Sequence, residues 1–198
     1  MSKKIAITGG IGSGKSTVLS LLKEGGYSVF SCDEIYKKLF LDEAYIQKIE
    51  KLFPTVVQNG RIERQVLADI VFKDKQALEK LNGVAHPLIM RRLYESMQNC
   101  TDMLVFAEVP LLFEGNYQSQ FDAVIVVQRA KEKRISAIVE RDGLTREEAM
   151  QRIAAQFDYD SSKEQELYLS PNTFLLSNEG TNLQLRHNLQ KILQRLFS

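Results

Sequence analysis

Residues 5–17 read IAITGGIGSGKST, an apolar run followed at once by four glycines and a lysine. The run Ile5-Ala6-Ile7 reads as a short buried strand. Residues 16–22 have the spacing of an amphipathic helix, so the glycines lie between strand and helix. That is the context a phosphate loop needs. Gly9, Gly14, Lys15 and Ser16 satisfy the pattern G-x-x-x-x-G-K-[ST]. In it, glycines let backbone N–H groups close around phosphate oxygens, and a helix N-terminus adds its positive dipole. The candidate nucleotide-binding residues are Gly10, Ile11, Gly12, Ser13, Gly14, Lys15, Ser16 and Thr17. Lys15 reaches the β and γ phosphates of a bound triphosphate in such a loop, and the Ser16 hydroxyl ligates Mg²⁺.

A chain of 198 residues suits one domain with a sizeable core and room for a small inserted subdomain. Its net charge of +1 leaves no protein-wide attraction for nucleic acid or anionic membrane, so phosphate-binding residues should be local and few. The expected polyanion is a small molecule, with neither nucleic acid nor an obligate protein as partner. Cys32 and Cys100 are the only cysteines and form neither a C-x-x-C pair nor a zinc spacing, which suits a reducing compartment. Met1-Ser2-Lys3-Lys4 leads straight into the first strand without a signal peptide, and no apolar run is long enough to span a bilayer. The expected location is the cytoplasm.

Beyond the loop, strand and helix signals alternate. Residues 27–31 (YSVFS), 103–109 (MLVFAEV), 122–127 (DAVIVV) and 173–177 (TFLLS) read as strands. Thr145 and Glu148 form a capping box ahead of a helix in LTREEAMQRIAAQF. Such alternation implies an α/β fold, a mostly parallel sheet with helices on both faces, with ligands at the carboxyl ends of the strands. Residues 35–100 break it, showing helical patterns and no convincing strand. We expect a core of about 1–34, 101–130 and 168–198, a helical insertion over about 35–100 that receives a second substrate, and a lid over about 131–167.

Three acids lie at or just beyond strand ends: Asp33, Glu108 and Glu114. Transfer from ATP needs an acid near the acceptor hydroxyl and another near the Mg²⁺. Asp33 is the candidate for the acceptor side. Glu108 is the candidate for the metal side with Ser16, because it ends an apolar strand as a Walker-B acid does. Residues 129–152 carry Arg129, Lys131, Lys133, Arg134, Arg141, Arg146 and Arg152 on two helices joined at Gly143. Acids alternate with them, so most read as solvated faces. Arg141 is the exception, expected to stabilise charge on the transferred group.

With these pieces in order the chain resembles a dephospho-coenzyme A kinase over nearly its whole length. The resemblance rests on TGGIGSGKST at 8–17, Asp33, NGRIERQVLADIVF at 59–72, AHPLI at 85–89, EVPLLFE at 108–114, RDGLTREEAMQRIAAQ at 141–156 and SNEG at 177–180. It implies a P-loop kinase fold with an acceptor-binding insertion and a lid, and ATP- and Mg²⁺-dependent phosphorylation of the ribose 3′-hydroxyl of dephospho-coenzyme A, the last step of coenzyme A synthesis. By the same analogy Asp33 is the base, Lys15 and Arg141 complete the catalytic set, and the acceptor meets Asp33, Arg64, His86, Glu108 and Glu114.

The chain departs from the family pattern in three places. Ser31-Cys32-Asp33 stands for Asp-Ala-Asp. Arg134-x-x-Ala137-x-x-x-Arg141 stands for Gln-x-x-Arg-x-x-x-Arg. Asn172-Thr173 replaces Ala-Asp. His86-Pro87 also has the form of a helix start, with Pro87 in the first helical position. A different small-metabolite or nucleoside monophosphate kinase would share loop and lid. A GTP switch would need the N-K-x-D signature, which is absent.

Overall fold

The computed structural model describes residues 2–160 and 170–197. The expected lid residues 161–167, core residues 168 and 169, and the two terminal residues lie outside that description. Two compact units emerge, one of Met1–Val29 with Cys100–Ser198 and one of Phe30–Asn99.

The first unit is organised by β1 (Lys3–Thr8), the strand that leads into the glycines. It is the central strand of a five-stranded sheet in the order β2-β5-β1-β6-β7, where β2 is Ser28–Ser31, β5 Leu104–Glu108, β6 Ala123–Gln128 and β7 Thr173–Ser177. The pairings β1–β5, β1–β6 and β6–β7 are parallel. Parallel strands need crossover connections and bury both faces, which explains why these segments read as continuous apolar runs. On one face Ile5, Ile7, Phe106, Ile125 and Val127 form a core with Val18 and Leu22 of α1 (Lys15–Glu24). Leu185, Leu189 and Leu193 of the C-terminal helix Asn182–Phe197 complete it. On the other face Ala6, Val105, Ala107, Val124 and Val126 are also buried. Registers Ile7↔Glu108 and Ile7↔Ile125 align the carboxyl ends of the strands around the start of the phosphate loop.

The Phe30–Asn99 unit is helical: α2 (Cys32–Leu39), α3 (Glu43–Leu52), α4 (Arg64–Lys73) and α5 (Lys75–Gln98), with α2, α3 and α4 all packed on α5. Two features correct the sequence reading. A two-stranded ribbon, β3 (Val57–Gln58) and β4 (Arg61–Ile62), lies where no strand was expected. Its turn is Asn59-Gly60 with φ of 51° and 72°, the pair that a tight type I′ hairpin favours. Pro87 does not start a helix either. It sits within the 24-residue α5, whose N-cap is Asp74, and the position one turn earlier, where a proline ring crowds the backbone, is Gly83.

After β6 come α6 (Lys131–Asp142) and α7 (Arg146–Ala154), joined through left-handed Gly143, with the Thr145–Glu148 capping box formed in both directions. Their apolar faces meet in a small cluster of Ile135, Ile138, Ala149 and Ile153, on which Ile11 of the phosphate loop packs. We number the C-terminal helix α8.

Ile7 is fully buried at the end of the central strand. Ile7→Ala is expected to lower the unfolding free energy by about 2–5 kcal/mol, read as a shift of the urea midpoint with the denaturant slope unchanged.

Candidate active site

The site is built around the turn between β1 and α1. Gly14, the N-cap of α1, has φ of 95°, a left-handed conformation that a side chain would strain. It turns the chain so that α1 points its positive end at the loop. The Lys15 ammonium folds back over the loop, donating to the carbonyls of Gly9 (2.8 Å) and Gly10 (3.2 Å).

A loop that turns its N–H groups towards an anion turns carbonyls the other way, and these are gripped from outside. Arg134 Nε donates to the Ile11 carbonyl at 3.0 Å, Arg129 Nη1 to that of Gly12 at 3.4 Å, and Asn178 Nδ2 to that of Ser13 at 2.8 Å. The Ile11 N–H donates to Gln156 Oε1 at 2.7 Å. The Ser13 hydroxyl is buried inside the loop and has no protein partner.

Glu108 ends β5 beside Ile7, one strand over from the loop, and is half-buried. Glu114 Oε1 accepts the Phe157 N–H at 3.0 Å, and Phe113, Phe157 and Tyr159 form an aromatic cluster. The Tyr159 hydroxyl meets the Thr8 hydroxyl at 2.9 Å, and burial pushes its phenol well above the usual value.

Arg141 forms a two-pronged pair with its neighbour Asp142 (2.7 and 2.9 Å), which Arg152 also contacts at 3.1 Å. Hydrogen bonding from Arg141 holds the Asp142 carboxyl below the usual range, and the Arg141 side chain is 61% exposed. Lys133 pairs with Glu179 and Arg146 with Glu132, also at the surface.

In the helical unit, Asp33 is exposed in the first turn of α2, where its N–H donates to the Ser31 side chain at 3.2 Å. Arg64 opens α4 with its guanidinium 4.4 Å from the centre of the Phe40 ring, just beyond α2. Burial pushes the Tyr36 phenol up, and the Arg64 charge opposes that shift. His86 is half-buried on α5, and that burial lowers its pKa. The unit thus carries Asp33, Arg64 and His86 on three helices of one bundle. No three His, Cys, Asp or Glu residues cluster as a protein-only metal cage among the described residues.

The sequence profile of the dephospho-CoA kinases matches residues 3–182, so both units fall within one family pattern. The chain belongs to the dephospho-CoA kinase family. It is 35% identical over 192 residues to a dephospho-CoA kinase of Thermus thermophilus, covering 97% of this chain and 91% of that one. Among solved structures, a Thermus thermophilus protein superimposes with a TM-score of 0.80 at 35% identity, covering 98% of each chain. The dephospho-CoA kinase of Campylobacter jejuni does so with a TM-score of 0.72 at 28% identity, covering 99% of this chain and 98% of that one.

Within this family member, charge pattern alone was a poor guide to Arg134, Gln156 and Asn178. Arg134 was read as one of a solvated basic set, yet it is buried. Its spacing of four residues to Ile138 puts it on the apolar stripe of α6, and that periodicity could have found it. Gln156 and Asn178 stand inside the two quoted motifs RDGLTREEAMQRIAAQ and SNEG, but nothing in a motif says which residue turns towards the loop.

The lowered pKa of His86 sets a sign for the stability of this kinase. A histidine whose folded pKa lies below its unfolded value of about 6.5 adds nothing to pH dependence while neutral in both states. Stability is lost as pH falls through and below that value, because the unfolded chain takes the proton more readily. His86→Gln is therefore expected to flatten the fall in urea midpoint between pH 7.5 and 5.5. An unchanged slope would show that burial of His86 carries no such linkage.

Proposed function

We propose that this chain transfers the γ-phosphoryl group of ATP to the ribose 3′-hydroxyl of dephospho-coenzyme A, giving coenzyme A and ADP. The observation that carries the reading is the phosphate loop, Lys15 folded over its mouth and Glu108 beside its stem, within a chain whose family match runs through the helical unit as well. ATP phosphates fill the loop, and the Lys15 ammonium exchanges two loop carbonyls for phosphate oxygens. That exchange is favourable because charge-assisted hydrogen bonds to an anion exceed those to neutral carbonyls.

Mg²⁺ is the cation this donor set fits. One hydroxyl, Ser16, and one carboxylate, Glu108, are hard oxygen donors, too few for a protein-only cage and sufficient for an ion that keeps waters and takes phosphate oxygens. Bound there, it would neutralise charge on the β and γ phosphates.

Asp33 orients the 3′-hydroxyl and takes its proton as the new O–P bond forms and the bond to the ADP oxygen breaks. The proton then passes to solvent, and ADP leaves with the released electron pair. The transition state is loose and its charge lies on the equatorial oxygens, so cation placement supplies more of the rate than proton removal does. Arg141 joins Lys15 in that role. Leaving Asp142 costs it little, since an ion pair whose arginine lies in solvent adds little to stability. Arg64 and His86 bind the acceptor from the helical unit. Glu114 secures the backbone at Phe157, beyond α7.

The assay is ADP release with ATP, Mg²⁺ and dephospho-coenzyme A beside adenosine, AMP and a no-acceptor control. Release confined to dephospho-coenzyme A, with coenzyme A as product, is the expected result. Release with a different acceptor would reassign the substrate. Asp33→Asn is expected to keep ATP binding and to lose about 10²–10⁴ in turnover, and normal turnover would remove Asp33 from the mechanism.

A further inference from the structure

Of the basic residues on α6 and α7, Arg134 alone is buried: its side chain is 3% exposed. A guanidinium out of water needs a counter-charge and a full set of acceptors. Asp160 supplies the first, accepting from Nη1 at 3.1 Å while itself 47% exposed, and the Ile11 carbonyl accepts from Nε at 3.0 Å. Arg134 thus spends Nε on the loop backbone and Nη1 on Asp160.

Its flat face leaves a mark on the loop sequence. A Cβ built on Gly10 would lie 2.2 Å from Arg134 Nη2 and 2.5 Å from Cζ. Gly10 has no left-handed φ that would require glycine for its own sake. The same helix crowds the next glycine, since a Cβ on Gly12 would lie 2.7 Å from the Arg134 carbonyl oxygen. Ile11, between them, packs its side chain on the α6–α7 cluster and gives its N–H to Gln156. Backbone and side chain of the loop crest are thus fastened to α6 and α7 from several directions.

We propose that Arg134 is the positioning residue of the phosphate loop. It braces the backbone of residues 10–12 from behind, couples the loop to α6, and sets ATP affinity through that geometry. Gly10 is held to glycine by the guanidinium against it. The proposal rests on the nucleotide-binding reading of the site. It gives a role to the arginine that stands where the family pattern has glutamine.

The test is ATP affinity, measured calorimetrically without any acceptor, for the parent chain, Gly10→Ala, Arg134→Ala and the double variant. Gly10→Ala is expected to weaken ATP binding about tenfold or more. In the Arg134→Ala background the same substitution should cost less than about twofold, because the clash is gone. Arg134→Ala alone weakens ATP binding, and Arg134→Lys recovers part of that loss by returning a cation to Asp160. Additive effects of the two substitutions would overturn the proposal. So would parental ATP affinity in a folded Arg134→Ala protein, whatever its melting temperature. If Arg134→Ala does not fold, Asp160→Asn, changed at a half-exposed side chain, replaces it: weakened ATP binding supports the brace, and parental affinity overturns it. Because no acceptor is present, a chain that binds ATP but phosphorylates a different alcohol fails the functional reading and leaves this one standing.

Discussion

A phosphate loop has a backbone problem before it has a chemical one. Each peptide unit that aims its N–H at an anion sends a carbonyl the other way, and a carbonyl taken out of water without a donor costs about 1–3 kcal/mol. Here the carbonyls of Ile11, Gly12 and Ser13 meet donors from Arg134, Arg129 and Asn178, all more than 100 positions along the chain. The donors come from segments that follow β6 and β7, the two strands on one side of β1. Parallel order brings their carboxyl ends level with the loop, so the topology supplies the donors and the loop needs no special sequence to find them.

The arginines of α6 divide by solvent access. Arg141 lies in water, paired with an acid one residue away, and exposed pairs of this kind exchange partners at little cost. Arg134 is buried and is paired with Asp160, whose own side chain is half exposed. One helix therefore carries a cation free to change partners and a cation that is not. The first is suited to a group whose charge changes during reaction, the second to a part that must keep its shape.

The three central strands β1, β5 and β6 were legible because strands buried on both faces leave uninterrupted apolar runs, and the phosphate loop because its spacing is dictated by backbone geometry. The ribbon at 57–62 escaped because each strand is two residues long, too short for a period to register, although Asn59-Gly60 carried the turn signal. Pro87 was misread for a related reason. A proline after a polar residue has the form of a helix start, and only the Asp74 N-cap and the glycine at 83 betray that α5 runs through it. Arg134 was hidden by charge itself. Among alternating acids and bases a local reading sees solvent, and tertiary packing shows that its guanidinium lies against Gly10.

The replacement of Asp-Ala-Asp by Ser31-Cys32-Asp33 shows how little of such a change the fold need feel. Ser31 is the N-cap of α2, and its hydroxyl accepts from the Asp33 N–H. Serine and aspartate are about equal as N-caps, so the loss of the first acid leaves the helix start intact and removes only a charge. Two carboxylates so close would repel and raise one pKa. With serine in the first place, Asp33 is the lone acid of the triplet. In this chain the substitution therefore separates two duties that the acidic triplet combines, capping the helix and setting the local field. Only the second is altered.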